Sequence, residues 1–110
     1  MTSTVNALIH GRLEFLVLKT LTWGPRHGYA IARWLEDTTD DALRIEEGSL
    51  YPALYRMERR GWIAASWGTS ELGKRIKIYA LTAPGRAQLK VEVVQWNVFV
   101  GAVAKVLGTA

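Results

Sequence analysis

The chain has 110 residues, 49% of them hydrophobic and 22% charged, with a formal net charge of +4 and no cysteine. That length and polarity mark one folded domain with a modest core, not a disordered chain, and the missing cysteines exclude disulfides and thiolate metal sites. Neither a signal-like N-terminus nor an apolar run of the ~20 residues needed to span a bilayer is present, so a cytoplasmic, membrane-free protein is expected.

The elements follow in chain order. Leu8, Ile9, Leu13, Leu16, Val17 and Leu21 recur at helical spacing and predict a first helix from about Val5 to Thr22, closed by Gly24-Pro25. Phe15 and Leu18 widen its apolar stripe. A second helix is expected from about His27 to Thr38, with Ile31, Trp34 and Leu35 inward. Thr38-Thr39-Asp40-Asp41 breaks the pattern, and Leu43-Arg44-Ile45 suits only a brief extended stretch. Ser49 reads as the N-cap of a third helix, with Pro52 in its first turn and Gly61 at its end. Strands are expected over Ile63 to Trp67 and Arg75 to Leu81, joined by a loop bounded by Gly68 and Gly73. Thr82 caps a last helix, with Ala83-Pro84 in its first turn, which runs to about Leu107 and stops at Gly108. The order is mainly α with a small β-hairpin: a winged helix-turn-helix over residues 1–82, then a long C-terminal helix over residues 83–110, packed as one compact unit.

The third helix has a face to spare. Leu50, Ala53, Leu54 and Met57 share one side and should pack on the first two helices. Ser49, Pro52, Tyr55, Arg56 and Arg59 lie opposite. A solvated face is the ordinary reading of such a side. The alternative is a helix in the major groove of duplex DNA, where Arg bonds guanine edges and the first turns, Ser49 and Tyr51 included, approach the bases. The hairpin adds independent weight, because Gly73, Lys74, Arg75 and Lys77 form a basic cluster opposed nearby only by Glu71. From Arg44 to Lys77 there are seven Lys or Arg against four Glu. With both features in one short segment, nucleic-acid binding overtakes the bland reading.

The last helix is apolar on two opposite sides. Leu89, Val93, Trp96, Val100, Val103 and Leu107 form a heptad-like seam. Ala87, Val91, Val94, Val98 and Ala102 form a second stripe on the far side. A terminal helix with two apolar sides needs two partners, one its own domain and the other a second copy, and a homodimer is therefore expected. Which stripe faces the second copy is open. Each large side chain so buried gains roughly 1.5–3 kcal/mol.

Three stretches together resemble the PadR family of transcriptional regulators: Leu13-Glu14-Phe15-Leu16-Val17-Leu18, Gly24-Pro25-Arg26-His27-Gly28-Tyr29, and Glu47-Gly48-Ser49-Leu50-Tyr51-Pro52-Ala53-Leu54. Leu81-Thr82 and Gly85-Arg86 continue the likeness, which spans about Leu13 to Phe99. The resemblance implies a winged-helix repressor that binds a pseudo-palindromic operator as a dimer joined by its C-terminal helix. It assigns base and backbone contacts to Ser49, Tyr51 and Pro52, and the wing role to Gly73, Lys74 and Arg75. In the multidrug-responsive members a tryptophan lines an aromatic cavity between the subunits, and Trp96 matches it, with Phe15 as a second candidate. A planar hydrophobic effector is then implied; the competing role for Trp96 is packing against its twin. Two departures stand out. Ile76 and Ile78 occupy wing positions where the family tends to carry basic or aromatic residues, and Ala83-Pro84 inverts the usual Pro-Ala.

No enzyme is expected. His10 and His27 are the only histidines, no carboxylate cluster has metal-ligand spacing, Ser49 lacks a nucleophile motif, and no glycine-rich phosphate loop calls for a cofactor. Glu46-Glu47 and Asp40-Asp41 lie in loops beside helix starts, where they complement the helix dipole. The competing class is a winged-helix protein-interaction module without DNA binding, which accounts for the seam but leaves the basic wing idle.

Overall fold

The computed structural model describes residues 11–108. They form α1 (Leu13–Leu21), β1 (Arg26–His27), α2 (Gly28–Thr38), α3 (Glu47–Arg59), β2 (Ile63–Thr69), β3 (Arg75–Leu81) and α4 (Ala83–Leu107). This is the expected winged helix followed by a long helix.

α1 starts later than its apolar pattern suggested. Gly11 has φ +76°, a left-handed conformation that cannot continue a helix, so the helix begins at Leu13. The expected stretch from Val5 to His10 lies outside the described residues. Val17, Leu18 and Leu21 are buried. Buried Thr20 satisfies its hydroxyl by donating to the Leu16 carbonyl at 2.8 Å, as a buried polar group must.

After Gly24, which turns the chain at φ +125°, comes a strand that the sequence reading missed. β1 pairs antiparallel with β3, Arg26 opposite Tyr79 and His27 opposite Ile78. His27 ends it and caps α2, its Nδ1 accepting from the Ala30 amide at 3.3 Å. Asp40 and Asp41 both adopt positive φ in the break after α2. Leu43-Arg44-Ile45 forms no strand. Ile45 is buried, and its amide is held by a Glu36 carboxylate oxygen at 3.0 Å.

The start of α3 corrects another expectation. Glu46 is the N-cap, without a side-chain bond, and Ser49 is already inside the helix. Pro52 therefore sits past the first turn, where its missing N–H leaves the Gly48 carbonyl without its helical donor. The buried side is Leu50, Ala53, Leu54 and Met57, as the periodicity required.

The sheet has the order β1-β3-β2. β2 reaches Thr69, two residues beyond the expected end, and pairs with β3 from Ile63↔Leu81 to Thr69↔Arg75. Directly opposed residues share a face, so Ile63, Ala65, Tyr79 and Leu81 all turn toward the helices and join the core. α4 leaves this core early. Gly85 and Leu89 are its only buried residues, although a helix of this length extends about 37 Å. The radius of gyration of 15.5 Å exceeds the ~13 Å of a compact domain this size. Among the described residues, no helix is long and apolar enough to cross a membrane.

Candidate nucleic-acid interface

The outward side of α3 is set by its buried side. With about 100° per residue and Leu50, Ala53, Leu54 and Met57 inward, the opposite direction belongs to Gly48, Pro52, Tyr55 and Arg59. Pro52, Tyr55 and Arg59 are exposed, and Arg59 Nη1 donates to the Tyr55 hydroxyl at 3.1 Å. Ser49 is exposed on one flank. Tyr51, on the other, rests against Gly28, where any Cβ would come within 2.7 Å of its ring. The glycine of the His-Gly-Tyr stretch is thus the seat for a tyrosine of α3.

Arg56 differs from its expected placement. It lies on the α1 flank and donates through Nε to Glu14 Oε1 at 2.9 Å, while Arg60 Nη1 reaches Glu14 Oε2 at 2.7 Å. One carboxylate of α1 grips the last turn of α3 through Arg56 and its C-cap through Arg60. Arg56 is exposed at the edge of the outward face, next to Pro52 on the helix wheel, and its bond to Glu14 also makes it a strut between helices.

The wing departs similarly at one residue. Lys74 and Arg75 are exposed at the tip, and Gly73 takes φ +77° to close the loop. The turn is pinned by the Ser70 side chain, whose Oγ accepts from the Lys74 amide at 3.1 Å. Lys77, expected in the same cluster, lies down the strand and pairs with Glu58 of α3 at 3.1 Å. That bond raises its pKa above the ordinary lysine value, more than partial desolvation lowers it. The carboxylate opposing the wing cations is therefore Glu58, from another element, and the pair ties the wing's root to the C-terminal half of α3. Ile76 and Ile78 fall on the outer face, Ile78 Cδ1 lying 2.5 Å from where a Cβ on Gly68 would stand. Trp67, overlooked in the sequence, stands exposed on the inner face beneath Arg75.

A second region joins α1 to α4. Arg12, Phe15, Glu92, Trp96 and Phe99 line a crevice of about 200 Å³. Trp96 lies 6.3 Å from Phe15 and 6.1 Å from Phe99, centroid to centroid. The Arg12 guanidinium sits 5.5 Å from the Trp96 ring. Glu92 reaches into the crevice with Oε2 buried and unbonded, and burial raises its pKa above the ordinary carboxylate value. The inward line of α4 is thus Gly85, Leu89, Glu92, Trp96 and Phe99, not one uninterrupted apolar seam. Leu89 belongs to its own chain's core and is not free for a second copy. Val93, Val100 and Leu107 remain exposed, as do Val91, Val94 and Val98 on the other stripe; Val103 is half-buried.

Comparison with known proteins identifies the lineage. Residues 17–91 match the model of the transcriptional regulator PadR-like family. A protein of Lysinibacillus sphaericus without an assigned function is 30% identical over 89 residues, which cover 81% of this chain and 82% of that protein. A PadR family transcriptional regulator of Eggerthella lenta superposes with a TM-score of 0.82 at 35% identity, covering 94% of this chain and 88% of that one. A transcriptional regulator of Clostridium thermocellum gives a TM-score of 0.82 at 29% identity, covering 90% of this chain and 96% of the other. The two solved relatives are both described as transcriptional regulators. The chain belongs to the PadR-like family of DNA-binding transcriptional regulators.

Proposed function

We propose that the protein is a sequence-specific repressor that binds a pseudo-palindromic operator as a homodimer. Residues 1–82 read the duplex and residues 83–110 join the two copies. The observation that carries this reading is the outward side of α3. Gly48, Pro52, Tyr55 and Arg59 present no carboxylate there, and a wing tip bearing Lys74 and Arg75 is tied to the same helix through Lys77 and Glu58. An Arg at the centre of such a face suits guanine edges, and Ser49, Tyr51 and Pro52 near the helix start suit backbone and base contacts. The wing supplies phosphate contacts.

Dimerisation rests on α4, where Val91, Val94, Val98 and Leu107 are at least half solvent-exposed in the single chain. An apolar helix face left in water favours a second copy. The crevice at Trp96 and Phe15 supports a planar hydrophobic effector that alters the spacing of the two reading helices.

The test is fluorescence anisotropy of a labelled duplex over a range of salt. DNA binding through phosphates weakens steeply with ionic strength, and Arg59→Ala reduces the preference for a selected site over random duplex. Salt-independent or absent binding refutes the reading. Sedimentation of a folded monomer at micromolar concentration refutes the dimer. Tryptophan quenching by planar dyes that is identical in the Trp96→Ala variant refutes the effector site.

A further inference from the structure

The basic side chains of α3 and the wing differ in what holds them. Arg56 and Arg60 are bound to Glu14, Lys77 to Glu58, and Arg59 to the Tyr55 hydroxyl. Arg59, Arg60 and Lys77 also approach aromatic rings, but Arg75 makes the closest such contact. Its guanidinium carbon lies 4.1 Å from the centre of the Trp67 ring, whereas the other cation–ring approaches among the described residues run from 5.0 to 5.9 Å.

The sheet register explains the contact. Trp67 is directly opposite Lys77, and Arg75 is opposite Thr69, so Trp67 and Arg75 are diagonal neighbours on one face, within reach of long side chains. Nearer the helices that face is the core, with Ile63 and Tyr79 buried; at Trp67 it has left the core, and the indole is 59% exposed. A tryptophan placed there adds little to the domain's own packing. It lies against the guanidinium of Arg75, which is itself exposed at the wing tip with its N–H groups accessible to a ligand. The guanidinium edge is a planar fork matched to two oxygens of a phosphate.

We propose that Trp67 is a positioning residue that holds Arg75 as a preformed receptor for one phosphodiester beside the groove entered by α3. The proposal rests on the DNA-binding reading above. Trp67 acts through Arg75: it limits the rotamers of a long side chain that would otherwise lose that freedom only on binding.

The experiment measures affinity for one fixed operator duplex across salt concentrations, with the full-length protein, Trp67→Ala, Trp67→Phe, Arg75→Ala and the double variant Trp67→Ala/Arg75→Ala. A cation–π contact at an exposed site corresponds to about a 2–5-fold change, so Trp67→Ala weakens binding by about that factor and Trp67→Phe restores most of it. Arg75→Ala weakens binding at least as much and lowers the slope of log K against log salt by about 0.9, the signature of one lost phosphate contact. In the Arg75→Ala background, Trp67→Ala has no further effect. A Trp67→Ala loss of the same size in both backgrounds overturns the proposal, because the indole would then act independently. So does unchanged binding by either single variant, or a Trp67→Phe variant with a native circular dichroism spectrum that binds as poorly as Trp67→Ala. If the unaltered protein binds no duplex at low salt, the DNA-binding reading itself fails, an outcome distinct from all of these.

Discussion

Gly85→Ala separates intrinsic helix propensity from packing by the sign of its effect. Gly85 lies in the first turn of α4, and alanine there would ordinarily stabilise the helix by up to about 1 kcal/mol. A Cβ at Gly85, however, would overlap the Trp62 carbonyl oxygen outright and lie 2.9 Å from Leu81 Cδ1. The obstacle is backbone and cannot swing aside. The same carbonyl accepts from the Thr82 amide at 3.1 Å. The Thr82 hydroxyl caps the Gly85 amide at 3.1 Å and donates to the Gly61 carbonyl at 2.6 Å. Pushing α4 away costs about 1–3 kcal/mol in overpacking and about 1 kcal/mol for a weakened hydrogen bond at the junction. After the propensity gain, the net loss is about 2 kcal/mol. With a urea dependence of about 1–2 kcal/mol per molar, the midpoint followed by circular dichroism falls by roughly 1–2 M. The two proteins are compared at one concentration, because dimerisation couples to stability. An alanine variant as stable as the parent, or more so, refutes the claim that α4 is docked through this glycine.

Three further outcomes follow from the same geometry. Arg59→Ala reduces operator affinity by about 1–3 kcal/mol relative to random duplex, while Arg56→Ala, a strut to Glu14, leaves that preference nearly intact and lowers the thermal midpoint slightly; competition binding and calorimetry distinguish them, and reversed roles contradict the assignment of the outward face. Gly28→Ala keeps the fold but drives the half-exposed Tyr51 ring from its seat, so urea stability changes little while operator affinity falls; unchanged affinity shows that Tyr51 does not need that seat. Burial raises the pKa of Glu92 above its unfolded value of 4.5, so its contribution to stability is fully present below that value and is lost as pH rises through the folded value. Glu92→Gln therefore raises the melting temperature at pH 7 and flattens the decline between mildly acidic and neutral pH; an unchanged profile means that Glu92 titrates normally.

The core was legible in the sequence because the spacing of its apolar residues has one helical solution. Leu50, Ala53, Leu54 and Met57 all went inside, and Thr82 caps α4 as its hydroxyl chemistry suggested. What the sequence concealed depends on contacts between distant elements. β1 has only two residues, Arg26 and His27, and becomes a strand only because β3 lies beside it. Arg56 looked free because its partner, Glu14, is 42 residues away in sequence; Lys77 and Glu58 are 19 apart. Ser49 carries the right hydroxyl for an N-cap, but the chain enters the helix three residues earlier, at Glu46. Trp67 read only as the end of a strand, and the register places it beyond the helices, beside Arg75. A period-two pattern assigns a residue to a face, but not where along that face the core stops.

Selection of bound sequences from a random duplex pool, followed by footprinting of the enriched sites, tests the central claim most directly. Two symmetric half-sites about one or a multiple of a helical turn apart, with protection that weakens when Arg59 or Arg75 is replaced by alanine, are the expected result. A pool that never enriches at low ionic strength, or enriched sites without internal symmetry, contradicts it.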